Sequence, residues 1–345
     1  VPGQEKAARI FAIRLKNNRM TARMTAPLPE PENAPGGPVN PPVIPPVISV
    51  VIPHLNQPDH LARCLAALAA GARAPDEVIV VDNGSAALPE AVCAAHGARL
   101  LVEPTPGPGP ARNRGAAAAR GDILAFIDAD CLAAPGWLAA AEAAMADPSA
   151  EILGGDVRIA LADPARVTML EAYESIYAYR MDRYIAREGF TGTGNLVVRR
   201  KVLDAVGPFA GIGVAEDRDW GQRATGAERR IRYVAAMRVY HPARQRFSEL
   251  CQKWDRHMAH DFTRARGQRL GRLRWGVKML AMAASPMAEV SRILASDRVS
   301  GLRARVLAFA GLTCIRAYRA GKMAWLLAGG DPEELSGRWN RPRAT

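Results

Sequence analysis

Cysteine is scarce and scattered: Cys64, Cys93, Cys131, Cys251 and Cys314 are the five, and no two stand in a Cys-X-X-Cys pair. That spacing suggests neither a disulfide framework nor a zinc knuckle, and it fits a reducing cytoplasm. The N-terminus carries no apolar core of the kind a signal peptide needs. No apolar run reaches the roughly 18 residues of a bilayer-spanning helix. The long uncharged run Val39–Pro58 is broken by six prolines. The Gly107-Pro108-Gly109 run is not followed by Gly-Lys-Ser/Thr, so it is no Walker loop.

What is present is unevenly distributed over the 345 residues. Residues 227–345 hold 24 Lys+Arg against 9 Asp+Glu, a balance of +15, whereas residues 1–226 balance at −3. The basicity of the last third points to an anionic partner surface, phospholipid or nucleic acid. No nucleic-acid-binding motif or interleaving of aromatic and basic residues accompanies it. From Pro27 to Pro46, nine of twenty residues are proline, which reads as an extended linker. A short basic helix is expected over Ala7–Leu15. Three segments are therefore expected: a disordered 1–46, a folded 47–245, and a basic helical 246–345.

Order begins at Val47. The runs Val47–Ile52, Val78–Val81 and Ile123–Ile127 read as strands buried on both faces. Between them, Leu61, Leu65 and Leu68 recur at helical spacing, Ala87–His96 and Ala111–Arg120 read as helices, and Ala98–Val102 as a short strand. This β-α-β-α-β rhythm predicts a mostly parallel, Rossmann-like sheet flanked by helices, with ligands at the carboxyl ends of its strands. Further on, Val167–Ile185 reads as one helix carrying four tyrosines, and Ile231–His241 as the last strand. Directly after Ile127 stand two carboxylates, Asp128 and Asp130, placed where a hard divalent ion can be held against a phosphate. A polar strand-to-loop exit is the plainer reading of the same residues.

Five stretches in fixed order carry a resemblance. They are Val50-Val51-Ile52-Pro53-His54-Leu55-Asn56, Val80-Val81-Asp82-Asn83-Gly84-Ser85, Ala111-Arg112-Asn113-Arg114-Gly115, Phe126-Ile127-Asp128-Ala129-Asp130, and Gly194-Asn195 followed by Glu216-Asp217. Together they resemble glycosyltransferase family 2, nucleotide-sugar transferases of GT-A fold, over residues 47–245. The resemblance implies that Pro53, Asn56, Asp82 and Asn83 line the nucleotide, with Asp82 accepting from base or ribose. It implies that Asp128 meets the ribose or a metal-bound water, that Asp130 binds Mn²⁺ or Mg²⁺, and that Gly194-Asn195 approaches the donor sugar. His241 stands where some GT-A enzymes supply a further ligand; a packed histidine is the other reading. Arg112, near a helix start behind a Gly-rich loop, suits a diphosphate. Of the pair Glu216-Asp217, Asp217 is the implied general base. Asp219, four residues before Arg223, is better read as a helix-surface ion pair.

The expected activity is an inverting, metal-dependent transfer of a sugar from a UDP- or GDP-linked donor to a hydroxyl. The acceptor is expected to be a carbohydrate or lipid-linked molecule, in envelope polysaccharide or glycolipid synthesis. Nucleotidyl transfer on a similar sheet and a non-catalytic nucleic-acid-binding protein are the alternatives. Gln252-Lys253-Trp254-Asp255-Arg256 shares only composition with the Gln-X-X-Arg-Trp of processive synthases, and processivity is not expected. At about 100° per residue, Arg305, Arg316 and Arg319 form one stripe over Leu302–Leu327, with Val306, Ala310, Thr313 and Ala317 set against it. Such a helix either lies in the headgroup layer of an anionic membrane, cations toward lipid, or caps the sheet with a solvated basic face. The first would place a cytoplasmic protein peripherally at the inner face of the cell membrane.

Overall fold

The computed structural model describes residues 46–336, except the side chains of Arg256 and His260. The expectations for residues 1–45 lie outside this range. Alternation of apolar runs and helical spacing gives β1 (Ile48–His54), α1 (Pro58–Ala69), β2 (Glu77–Asp82), α2 (Glu90–Ala95), β3 (Arg99–Val102), α3 (Pro108–Ala118) and β4 (Ile123–Ile127). There follow β5 (Leu132–Ala133), α4 (Trp137–Met145), β6 (Ile152–Ala160), α5 (Met169–Tyr177), α6 (Met181–Glu188), β7 (Asn195–Arg199), α7 (Arg200–Val206), α8 (Glu216–Gly226) and β8 (Ile231–Pro242). The helical region comprises α9 (Phe247–Arg266), α10 (Gly271–Ala284), α11 (Val290–Leu294), α12 (Gly301–Leu327) and α13 (Pro332–Ser336).

The eight strands form one sheet in the order β3-β2-β1-β4-β7-β6-β8-β5. The first four are parallel, as the rhythm predicts. Beyond β4 the sheet is mixed: β7 runs antiparallel to both β4 and β6, while β8 is parallel to β6. Strand order reverses beside β1, so a crevice opens past the carboxyl ends of β1 and β4. Every residue of β4 is buried, which pins the position of the two carboxylates that leave it.

Helices cover both faces. On one, Leu61, Leu65, Leu68, Trp137 and Leu138 close over β1 and β4. On the other, Ala111, Val202, Leu203 and Trp220 do the same. A third core joins α5 to the last third, with Leu170, Tyr173 and Ile176 packed among Leu250, Ile293, Ala308 and Ile315. The segment boundary expected at residue 245 thus falls between β8 and α9, but the packing does not part there.

Two elements differ from expectation. The two-residue β5 pairs with β8 and is too short to announce itself in sequence. The single helix expected over 167–185 is two, α5 and α6, broken where Tyr179 takes a left-handed φ of 49°. A bulky residue adopts that conformation at a cost of order 1–3 kcal/mol. Here the break turns its ring onto His241, 4.6 Å away between centroids.

Candidate active site

Asp128 and Asp130 leave β4 in a turn closed by the Cys131 amide, which donates to the Asp128 carbonyl at 3.0 Å. Ligand atoms from Asp128, Asp130 and Cys131 lie within 4.8 Å of one another. Burial, then the two carboxylates, push the Cys131 thiol well above its usual range, so it stays protonated and leaves the oxygens as the donors. Burial also pushes the Asp130 carboxyl up; His241 opposes this and Asp128 adds to it.

His241, at the end of β8, sets Nε2 3.5 Å from Asp130 Oδ2. Its Nδ1 lies 2.6 Å from the Pro242 carbonyl, which can only accept. Nδ1 therefore carries a proton, and this orientation turns Nε2 toward Asp130, where a neutral ring would present its lone pair to a metal. The Tyr179 hydroxyl lies 3.1 Å from the same nitrogen. Two crowded carboxylates and an oriented imidazole fit a hard or borderline divalent ion such as Mg²⁺ or Mn²⁺.

Arg112 is placed differently from expectation. Its guanidinium is buried, donating to Asp128 Oδ1 at 2.6 Å and to Glu216 Oε1 at 2.9 Å. Rather than standing open to a diphosphate, it bridges the carboxylates after β4 to the acidic pair opening α8. Glu216 is thereby occupied. Asp217 has no ion-pair partner among the described residues and lines a cavity of about 340 Å³ with Asp128, Gly194 and His241. Burial, supported by nearby Glu216, raises the Asp217 carboxyl, against the Arg218 amide that donates to it. Asp219 and Arg223 pair at 3.0 Å along α8, as their spacing predicts. Gly194 is required by proximity: a Cβ there would lie 2.5 Å from Asp128 Oδ2.

Three other expected ligands are engaged within the fold. The Asp82 carboxylate is fully buried, paired with His54 Nδ1 at 2.9 Å and accepting from the Gly84 and Ser85 amides. Burial works against its ionisation, but Ser85, His54 and Gly84 outweigh it and hold it below the usual carboxylate range. Asn83 donates to the Glu103 and Thr105 carbonyls and accepts from the Gly107 amide, tying the β2 loop to the start of α3. The Asn195 amide faces into the sheet instead of a donor sugar. It accepts from Trp137 Nε1 at 2.8 Å and donates to the Asp156 and Met237 carbonyls. By contrast, Pro53 is half-buried at the end of β1, and Asn56 is exposed, with its Oδ1 accepting from the Ala86 amide.

Each buried group orphaned by Asn195→Ala costs about 1–3 kcal/mol. The variant should lose several degrees in Tm yet keep its donor affinity. A normal Tm with weakened donor binding would return the amide to a ligand role.

The cavity has walls that motif reading did not supply. Tyr179, Tyr184 and Phe190 line it, and α9 contributes Lys253 and His257. The run of tyrosines was the visible signal; nothing in sequence tied α9 to residues over a hundred positions earlier. A second cavity, of about 710 Å³, opens on the other side of Asp130 beside His60, Arg63 and Arg244.

A sequence model of Glycosyl transferase family 2 matches residues 49–211. The glycosyltransferase AglE of Haloferax volcanii is 32% identical over 213 residues, 59% of this chain and 69% of that protein. An uncharacterised glycosyltransferase of Mycobacterium tuberculosis is 48% identical over 81 residues, 24% of this chain and 35% of its own length. Among solved structures, the mannosyltransferase PcManGT of Pyrobaculum calidifontis, in complex with GDP-Man and Mn²⁺, superposes with a TM-score of 0.51. It is 18% identical, and the match covers 84% of this chain and 89% of that one. At that identity the likeness speaks for the fold, an α/β sheet of GT-A type. Family model and archaeal relative agree with the motifs laid out above: the chain is a glycosyltransferase and belongs to glycosyltransferase family 2.

Proposed function

We propose that the protein is an inverting, metal-dependent transferase that moves one sugar from a UDP- or GDP-linked donor to an acceptor hydroxyl. The observation that carries this is the sharing of one cavity by Asp128 and Asp217, joined through Arg112 and Glu216. The metal would be held by Asp130 and His241, with Asp128 beside it. When bound, it neutralises charge on the departing diphosphate.

The chain's own groups do the rest. Pro53, at the end of β1, and Asn56, on the loop that follows, flank the nucleotide, and Asp82 and Asn83 hold the neighbouring β2 loop in shape. Arg112 fixes the Asp128 carboxylate, and Gly194 leaves that carboxylate clear on its other side. Asp217, across the cavity, takes the proton of the acceptor hydroxyl as it attacks opposite the leaving diphosphate. Tyr179, Tyr184 and Phe190 keep the cavity wall dry. The acceptor is a carbohydrate or lipid-linked molecule of envelope polysaccharide or glycolipid synthesis.

A thermal-shift panel of nucleotide sugars with and without Mn²⁺ tests the donor and metal together. A ligand that binds only the folded state at about 100 times its Kd stabilises by about 2.7 kcal/mol. The expected result is a rise in Tm with one UDP- or GDP-sugar that EDTA abolishes. No shift with any nucleotide sugar, or a shift indifferent to chelator, would overturn the reading. Sugar transfer, rather than nucleotidyl transfer, among the products separates it from the nearest enzymatic alternative.

A further inference from the structure

Of the fourteen large apolar side chains exposed in the described residues, eight fall between Leu270 and Val306. On α10, Leu273, Val277 and Leu280 stand at positions i, i+4 and i+7 and are 64%, 61% and 65% exposed. The opposite side of the same helix is anchored, with Trp275 buried and its indole donating to the Met323 carbonyl. Met287, Leu294, Leu302 and Val306 continue the apolar surface along a groove floored by Phe309.

α12 is turned opposite to the expectation from its cationic stripe. Arg316 pairs with Glu289 at 2.9 Å, Arg319 stacks 3.6 Å from the Trp254 ring centroid, and Arg305 donates to backbone carbonyls. With these arginines turned onto the protein, Leu302, Val306, Thr313 and Ala317 face outward. The positive charge offered to a partner comes from elsewhere. Arg269, Arg274 and Arg303 are exposed, as are Arg272, which donates to the Leu327 carbonyl at 2.6 Å, and Lys278, which pairs with Asp261 at 3.3 Å; the cations on α10 sit about 100–140° around the helix from the apolar stripe. Residues 264–306 hold ten Lys+Arg against two Asp+Glu. Of those two acids, Asp297 pairs with Arg158 and Glu289 with Arg292 and Arg316.

We propose that α10, α11 and the start of α12 form a docking face for an anionic bilayer. The leucines, valines and methionine enter the acyl boundary, and the flanking arginines reach phosphate headgroups along their own aliphatic stems. Charge decides the occupant. Two copies of this chain meeting through the face would bring two strongly cationic segments together, whereas an anionic leaflet complements them. The face lies outside the catalytic cavity, and its test needs no turnover.

The experiment is co-sedimentation of the full chain with phosphatidylcholine vesicles and with vesicles containing about one-third phosphatidylglycerol, at low and physiological salt. The expected result is binding to the anionic vesicles. It should weaken with salt and fall about tenfold or more in Leu273→Glu/Val277→Glu/Leu280→Glu, while Arg269→Gln/Arg274→Gln should bind more weakly at low salt and respond less to added salt. Both variants change exposed side chains and should keep the parent Tm. Absence of binding at low salt overturns the proposal. So does undiminished binding by the triple variant, or a vesicle-indifferent dimer that the triple variant dissociates.

Discussion

Alanine at position 130 should cost turnover about 10³-fold or more, because it removes the carboxylate best placed to hold the metal against the departing diphosphate. The same change should not harm the apo fold. Burial and the neighbouring Asp128 raise the Asp130 carboxyl above its ordinary value, with His241 opposing. A carboxyl raised in the folded state loses stability as pH climbs through its unfolded and then its folded value, so at neutral pH the ionised group is a net cost. Asp130→Ala should therefore unfold at or above the parent's Tm without metal, while losing the Mn²⁺-dependent gain. Melting curves of both proteins with EDTA and with Mn²⁺, beside initial rates, read both effects. Wild-type turnover in the variant would remove the metal assignment, and a collapsed Tm in EDTA would show that Asp130 serves the fold.

The second large effect belongs to Asp217. Asp217→Asn keeps shape and loses proton acceptance, and should slow turnover by roughly 10²–10⁴-fold with donor binding nearly unchanged. The pH profile gives a sharper signature. Burial and Glu216 raise the Asp217 carboxyl, and a general base works only when deprotonated. The acidic limb of kcat/KM should therefore stand above the ordinary aspartate value of about 3.9 and vanish from the residual activity of Asp217→Asn. Glu216→Gln is the control. Its carboxylate already answers Arg112 at 2.9 Å, so the loss should fall on stability more than on the chemical step. Normal turnover in Asp217→Asn with none in Glu216→Gln would reverse the two roles.

The parts of this site that were legible in sequence are those where local pattern and chemistry coincide. β4 announces itself by five consecutive buried residues, and the carboxylates that follow it can go only to the crevice. The acidic pair opens α8 where first-turn carboxylates belong. What was not legible depends on partners far along the chain. Asn195 reads as a donor contact until Trp137, Asp156 and Met237 are seen to consume its amide. Arg112 reads as a phosphate clamp until Glu216, 104 residues away, claims it. The facing of α12 is set by Glu289 and Trp254, and no periodicity within that helix contains either. The Tyr179 break accompanies a contact with His241, 62 residues away, that no local pattern contains.

The core shared by α5 and the last third bears on how this enzyme could be recombined or trimmed. The segment matched by the family model ends at residue 211, short of His241 on β8 and of the α9 side chains that wall the cavity. A fragment cut there, or at residue 245, would strip Leu170, Tyr173 and Ile176 of their covering and open the cavity on one side. Grafting a foreign tail onto residue 245 would meet the same problem. A replacement must reproduce the packing surface of α9, α11 and α12 as well as any address it carries. In this chain the catalytic half and the helical half pack, and would have to be exchanged, as one piece.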